Sequence, residues 1–184
     1  MLKKRDLHEV PVLFELMSHT DVFPFVRHKA YNTDEYYFLT KQTIEAEEQG
    51  ELISRTILDE FQQPIGTINL FDIENDCGFL ATWLGQPYFG KGYNRLAKDA
   101  FFAELFYQHN IKTIFMKVRK DNIRSRKAVL KLSFTALGND MYPDVYNKLN
   151  QGGQQQYDLF AITKEHYASY LAFANVSEVS EDAM

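Results

Sequence analysis

Leu80-Ala81-Thr82-Trp83-Leu84-Gly85-Gln86-Pro87-Tyr88-Phe89-Gly90-Lys91-Gly92-Tyr93-Asn94 is the stretch on which the reading of the fold turns. It begins as a strand, breaks at a turn rich in glycine, and continues as a helix. Glycine adopts positive φ without penalty and lets a ligand come close to the backbone. The first N–H groups of a helix have no internal acceptor and carry the positive end of its dipole. A strand, a glycine turn and a helix in succession therefore suit an anion, a phosphate above all. The spacing is not that of a Walker loop. Nor is it the dinucleotide fingerprint, because Arg95 and Leu96 stand where a third glycine would be needed. An ordinary tight turn before a helix is the competing reading.

Downstream, residues 93–108 follow a helical period, with Leu96, Ala100, Phe101, Ala103, Leu105 and Phe106 on the expected buried side. Residues 113–118 form a β-branched strand, 122–132 a helix, 134–137 a short strand, 157–162 a strand and 163–174 a helix. Residues 138–156, rich in Asn, Gln and Gly, read as a long loop of the kind that is functional or mobile. Upstream, residues 51–58, 64–71 and 78–84 are three β-rich runs separated by the turns 59–63 and 74–76, an antiparallel meander. Before them lie two helices. One falls within 6–18, with Pro11 near its start, and the other spans 34–49, led by an Asn32-Thr33-Asp34-Glu35 cap and ended by Gly50. The segment 19–31 is a loop rich in aromatics. With no repeat and no linker, residues 1–174 read as one domain and 175–184 as an acidic, frayed tail.

Composition excludes several classes. The 184 residues carry 20 basic and 25 acidic side chains, a formal charge of −5, which argues against a nucleic-acid coat protein. A single cysteine, Cys77, allows neither an internal disulfide nor a thiolate zinc cluster, and is read as a buried thiol. The five histidines form no metal-binding pair, so no metal is expected. No signal peptide or membrane-spanning run is visible, and a soluble cytoplasmic protein with no membrane partner is the expectation. Residues 112–131 depart from the acidic average: eight are basic and only Asp121 is acidic, a local balance of +7. That run is either a solvated face or a surface for a polyanion.

At this point the chain resembles the GCN5-related N-acetyltransferases, in particular the branch of ribosomal-protein alanine acetyltransferases. Three stretches carry the likeness, which spans roughly residues 7–162. They are Pro64-Ile65-Gly66-Thr67-Ile68-Asn69-Leu70, the stretch from Leu80 through Tyr93, and Asp121-Asn122-Ile123-Arg124-Ser125 continued by Lys131-Leu132-Ser133-Phe134. They resemble the family's third strand, its fourth strand with the acyl-CoA loop, and its "D-N-x-x-S … K-L-G-F" segment. Phe89 departs from the usual Gln or Arg of that loop, Asn94 from a small residue, and Ser133 from Gly. The implied fold is mixed α/β (α+β), a mostly antiparallel central sheet flanked by helices, with the fourth and fifth strands splayed.

The resemblance implies acetyl transfer from acetyl-CoA, as co-substrate, to a primary amine of a peptide or small molecule. An attacking amine must be neutral, and pKa values of ~10.4 for lysine and ~8 for an α-amine set how hard that is. Trp83 and Leu84 would lie along pantetheine. Phe89, Gly90, Lys91, Gly92, Tyr93 and Asn94 would form the diphosphate loop. Asn122 would also contact the cofactor, or cap the following helix. Arg124 or Arg126 would meet the 3′-phosphate, or carry plain surface charge. Ser125, aligned with the family serine, is the candidate proton donor to the leaving thiolate, against the reading of a packing hydroxyl. Glu74, Asp76, Asp144 and Tyr142 are weaker candidates for a base, the first two reading as turn residues. Phe23, Phe25, Tyr31, Tyr142 and Tyr146 would rim the acceptor cleft, or pack in the core. A monomer or homodimer is expected, with no nucleic-acid partner. The alternative from another class is a non-catalytic module that binds acyl-CoA or a polyanion.

Overall fold

The computed structural model describes residues 1–152 and 156–181, with the side chains of Arg124 and of 174–181 outside the description. Its architecture is the mixed α/β one expected, antiparallel strands flanked by helices. The chain forms two compact units, residues 1–110 and the part from Ile111 onward.

In the first unit β1 (Leu2–Lys4), β2 (Ile53–Leu58), β3 (Pro64–Glu74) and β4 (Cys77–Leu84) pair antiparallel in chain order. The meander is thus present, and β1 adds an edge strand that three short, partly charged residues do not announce. Asn75 and Asp76 both take positive φ, 51° and 62°, the geometry of a two-residue hairpin turn. Asp76 is accordingly a turn residue and Glu74 the strand residue that precedes the turn.

Two faces of this sheet follow from register. Thr56 stands beside Thr67, and Thr67 beside Trp83. The Thr56 hydroxyl donates to Glu9 at 2.6 Å, which puts these residues on the side of the N-terminal segment. That side is covered by α1 (Val10–Met17), preceded by a 3-10 turn at Leu7–Glu9, and by α2 (Thr33–Glu48). Pro11 sits in the first turn of α1, where its missing N–H costs nothing. Asn32 caps α2 by accepting from the Glu35 N–H at 2.9 Å, and Glu35 reaches back to the Tyr31 N–H at 2.7 Å. Val10, Leu13, Met17, Val22, Val26, Ala30 and Tyr36 form the core here, with Trp83 and Phe89 packed against it.

The opposite side carries Arg55, Ile68 and Thr82 in register. Arg55 donates to Glu104 on α3 (Tyr93–Tyr107), so α3 covers this side. Its buried residues are Ala97, Lys98, Phe101, Phe102, Leu105 and Phe106. Leu96 and Ala100, expected inside, are exposed, and a lysine lies inside instead. The true stripe is rotated from the expected one, because the Phe101–Phe102 and Leu105–Phe106 pairs set the buried side.

In the second unit β5 (Thr113–Arg119) pairs antiparallel with β7 (Tyr157–Thr163), which also pairs with the two-residue β6 (Ala136–Leu137). α4 (Ile123–Leu130) follows β5, and α6 (Lys164–Glu181) runs past the expected end at 174. The stretch expected to be a long loop contains a helix, α5 (Pro143–Leu149), with Pro143 in its first turn. Of the expected tail, 182–184 lie outside the described residues.

Candidate functional site

The turn after β4 is a 3-10 segment, Gln86–Tyr88, followed by Phe89-Gly90-Lys91-Gly92. Gly90 and Gly92 take φ of 74° and 88°, and Gly92 is the N-cap of α3 with no side chain capping it. The Gly92 carbonyl accepts from the Arg95 and Leu96 N–H groups at 3.0 and 3.2 Å, so the helix is properly started. Among the described residues no acceptor meets the N–H groups of Gly90, Lys91, Gly92, Tyr93 or Asn94. A Cβ built on Gly90 or Gly92 would meet no protein atom within 4 Å. Both glycines are thus required by backbone conformation, and open space lies before the amides. An anionic diphosphate fits such a site by charge and by hydrogen-bonding capacity.

The side chains around it hold the loop. The Tyr93 hydroxyl donates to Glu60 in the β2–β3 turn, and that bond pushes the phenol up to about 12. The ammonium of Lys91 lies 5.7 Å from the centre of the Tyr88 ring, which packs edge-on against Tyr93. Phe89, where the family carries Gln or Arg, packs with Trp83 against the core beneath α1 and α2. Both rings have a packing role there. Leu84 is buried on the opposite face, the face that α3 covers. Among the described residues two buried oxygens on that side find no partner, Thr82 Oγ1 and Asn94 Oδ1.

In the second unit the Asn122 side chain accepts from the Ser125 N–H at 3.0 Å and caps α4, the alternative weighed for it above. The Ser125 side chain is half-buried. The run 112–131 is less available to a polyanion than its charge suggests. Arg119 holds Asp121 with two hydrogen bonds, of 3.0 and 2.6 Å. Arg126 and Lys120 lie 3.4 and 3.9 Å from the buried carboxylate of Asp158. Lys117 lies over the Tyr157 ring. Arg126 as a 3′-phosphate ligand therefore already faces an internal carboxylate, while the Arg124 side chain lies outside the described residues.

The expected acceptor rim splits by unit. In the first, Phe23 packs edge-on against Tyr31 at 5.5 Å, and Phe25 and Tyr31 are exposed. In the second, Tyr142 packs edge-on against Phe115 at 4.9 Å, and Tyr146 is half-buried on α5. Cys77 is half-buried rather than buried, with Sγ 3.5 Å from the Asn75 carbonyl. Among the described residues no group of three or more His, Cys, Asp or Glu side chains could hold a metal, and no helix is long and apolar enough to cross a membrane. The residue that sequence reasoning missed is Lys98, since nothing in the pattern signals a buried lysine.

Comparison with known proteins gives the same picture. A family model described as an acetyltransferase (GNAT) domain matches residues 1–135. Among solved structures, the ribosomal-protein-S5-alanine acetyltransferase from Vibrio fischeri is 16% identical, with a TM-score of 0.69 over 88% of this chain and 91% of that one. RimJ from Mycobacterium smegmatis, in complex with CoA-disulfide, is 13% identical, with a TM-score of 0.71 over 89% of this chain and 81% of that one. FdhC, described as a nucleotide-linked sugar GNAT, is 14% identical, with a TM-score of 0.71 over 94% and 92%. No curated protein matches significantly by sequence.

Proposed function

The chain belongs to the GNAT acetyltransferase family, and on that premise we propose that it transfers an acetyl group from acetyl-CoA directly to a primary amine, of a protein N-terminus or a small molecule. The observation that carries this reading is the set of amides at Gly90–Asn94 with no protein acceptor, opening onto empty space at the start of α3.

Acetyl-CoA supplies a thioester already activated for attack. In this reading the amides of Gly90, Lys91, Gly92, Tyr93 and Asn94 hold the diphosphate, and the positive end of the α3 dipole favours it there. Trp83 and Leu84 contribute backbone along pantetheine, since their side chains are committed to packing. The Ser125 hydroxyl is the candidate that returns a proton to the departing thiolate. No described side chain is assigned as base, and the amine sheds its proton through water. That arrangement favours an α-amine, with a pKa of ~8, over a lysine side chain near ~10.4. The names of the similar structures span a ribosomal-protein terminus and a nucleotide-linked sugar, so both acceptor classes stay within the proposal.

Mass spectrometry of a mixed panel of peptides and small amines, incubated with protein and acetyl-CoA, tests it. Products one acetyl group heavier are expected, on α-amines before lysine side chains. Coenzyme A binding with no product on any amine would replace the enzyme with the binding-module alternative.

A further inference from the structure

Lys98 is 7% exposed, on the side of α3 that faces the sheet. Among the described residues its side chain makes no hydrogen bond and no ion pair, and the neighbouring charge that bears on it is that of Asp99. A buried cation without a partner is costly, and lysines are rarely left so. Burial pushes its ammonium below the usual lysine range. Four residues earlier, on the same helix face, Asn94 holds a buried Oδ1 that also has no partner. A second such oxygen, Thr82 Oγ1, lies on the sheet face that α3 covers. These two orphaned oxygens and the Lys98 side chain all belong to the same α3–sheet layer of the first unit.

Direction gives the cluster its meaning. A helical side chain leans back over the turn N-terminal to its own Cα. Lys98, the sixth residue of α3, thus leans toward Asn94 and the first turn, where the unpaired amides lie. We propose that Lys98, with Asn94, forms the inner wall of the diphosphate cradle, and that the bound diphosphate is the counter-charge Lys98 lacks. Lys98 acts as a positioning residue: it meets the ligand's phosphates from the buried side while the amides meet them from the front. The inference deepens the acetyl-CoA reading and rests on it. It also accounts for a lysine inside a helix stripe otherwise made of Ala, Phe and Leu, since a site that binds an anion tolerates a group that weakens the unliganded fold.

The test uses the whole chain, with coenzyme A as the probe in calorimetry and thermal melting without ligand. Lys98→Met keeps the volume and removes the charge. It is expected to raise Tm by about 2–4 °C and to weaken coenzyme A binding about tenfold or more. Lys98→Arg keeps the charge and is expected to bind within a few-fold of the wild type. A Lys98→Met protein that binds coenzyme A as tightly as the wild type would overturn the inference. So would one that loses affinity and melts lower, because the lysine would then be structural. Should Lys98→Met not fold, Lys98→Gln decides by the same affinity criterion. A wild-type protein with no affinity for coenzyme A removes the acetyl-CoA reading itself, which is a different outcome from any of these.

Discussion

Gly92→Glu is expected to abolish measurable coenzyme A binding while leaving the protein folded. Gly92 sits at φ 88° as the N-cap of α3. Any side chain there occupies a left-handed conformation that costs about 1–2 kcal/mol for an L-residue. A Cβ meets nothing within 4 Å, so the glutamate has room and does not disrupt packing. Its carboxylate then stands before the same amides that would take the diphosphate. Loss of two or more charge-assisted hydrogen bonds, at roughly 1.5–3 kcal/mol each, amounts to at least a hundredfold. Gly92→Ala carries the conformational strain without the charge and should bind with intermediate affinity. Calorimetry reads both. An unchanged affinity in Gly92→Glu would remove the cradle from the account.

The largest effect on stability is expected from Arg55→Met. Arg55 is 5% exposed, beneath α3. It donates from Nε and Nη2 to Glu104, and from Nη1 to Glu47 and to the Ser54 carbonyl. Burial pushes its pKa down, and the hydrogen bonds to Glu47 and Glu104 outweigh burial and hold it above the ordinary arginine value. Removing one member of a buried ionic network leaves the others uncompensated, at a cost of about 3–5 kcal/mol. Glu47 and Glu104 keep some contact with water, and Glu104 also lies 3.3 Å from His109 Nε2, so the lower end applies. For a chain of this size that is a fall in Tm of about 6–12 °C. Replacing Arg55, Glu47 and Glu104 together by apolar residues should recover much of the loss, because a well-packed apolar set avoids desolvating charge. A single Arg55→Met protein that melts like the wild type would show the network to be idle.

Much of the fold was legible because its signals are local. Strand periods, the Asn75–Asp76 turn, the Asn32 cap and the glycines before Tyr93 each need only a few neighbouring residues to read. What escaped depends on tertiary context. β1 is three residues long and is a strand only because β2 supplies its hydrogen bonds. α5 hides in a stretch rich in Asn and Gln, where Pro143 is a first-turn residue rather than a breaker. The α3 stripe was misplaced by a local count of apolar residues. Leu96 scores as core by type, but the paired phenylalanines turn it to solvent and carry Lys98 inside.

The candidate site divides the same way. Its backbone part, the open amides and positive-φ glycines, is written in the sequence, because glycine identity reports backbone conformation directly. Its side-chain part is not. Phe89 and Trp83 are named by the motif, yet the space beneath α1 and α2 gives them a packing role. Arg126 is named by its charge, yet Asp158, thirty-two residues on, lies beside it.

A crystal structure of the acetyl-CoA complex tests the central claim most directly. The account predicts diphosphate oxygens within hydrogen-bonding distance of the N–H groups between Gly90 and Asn94. A diphosphate bound elsewhere, with those amides still facing solvent, would contradict it.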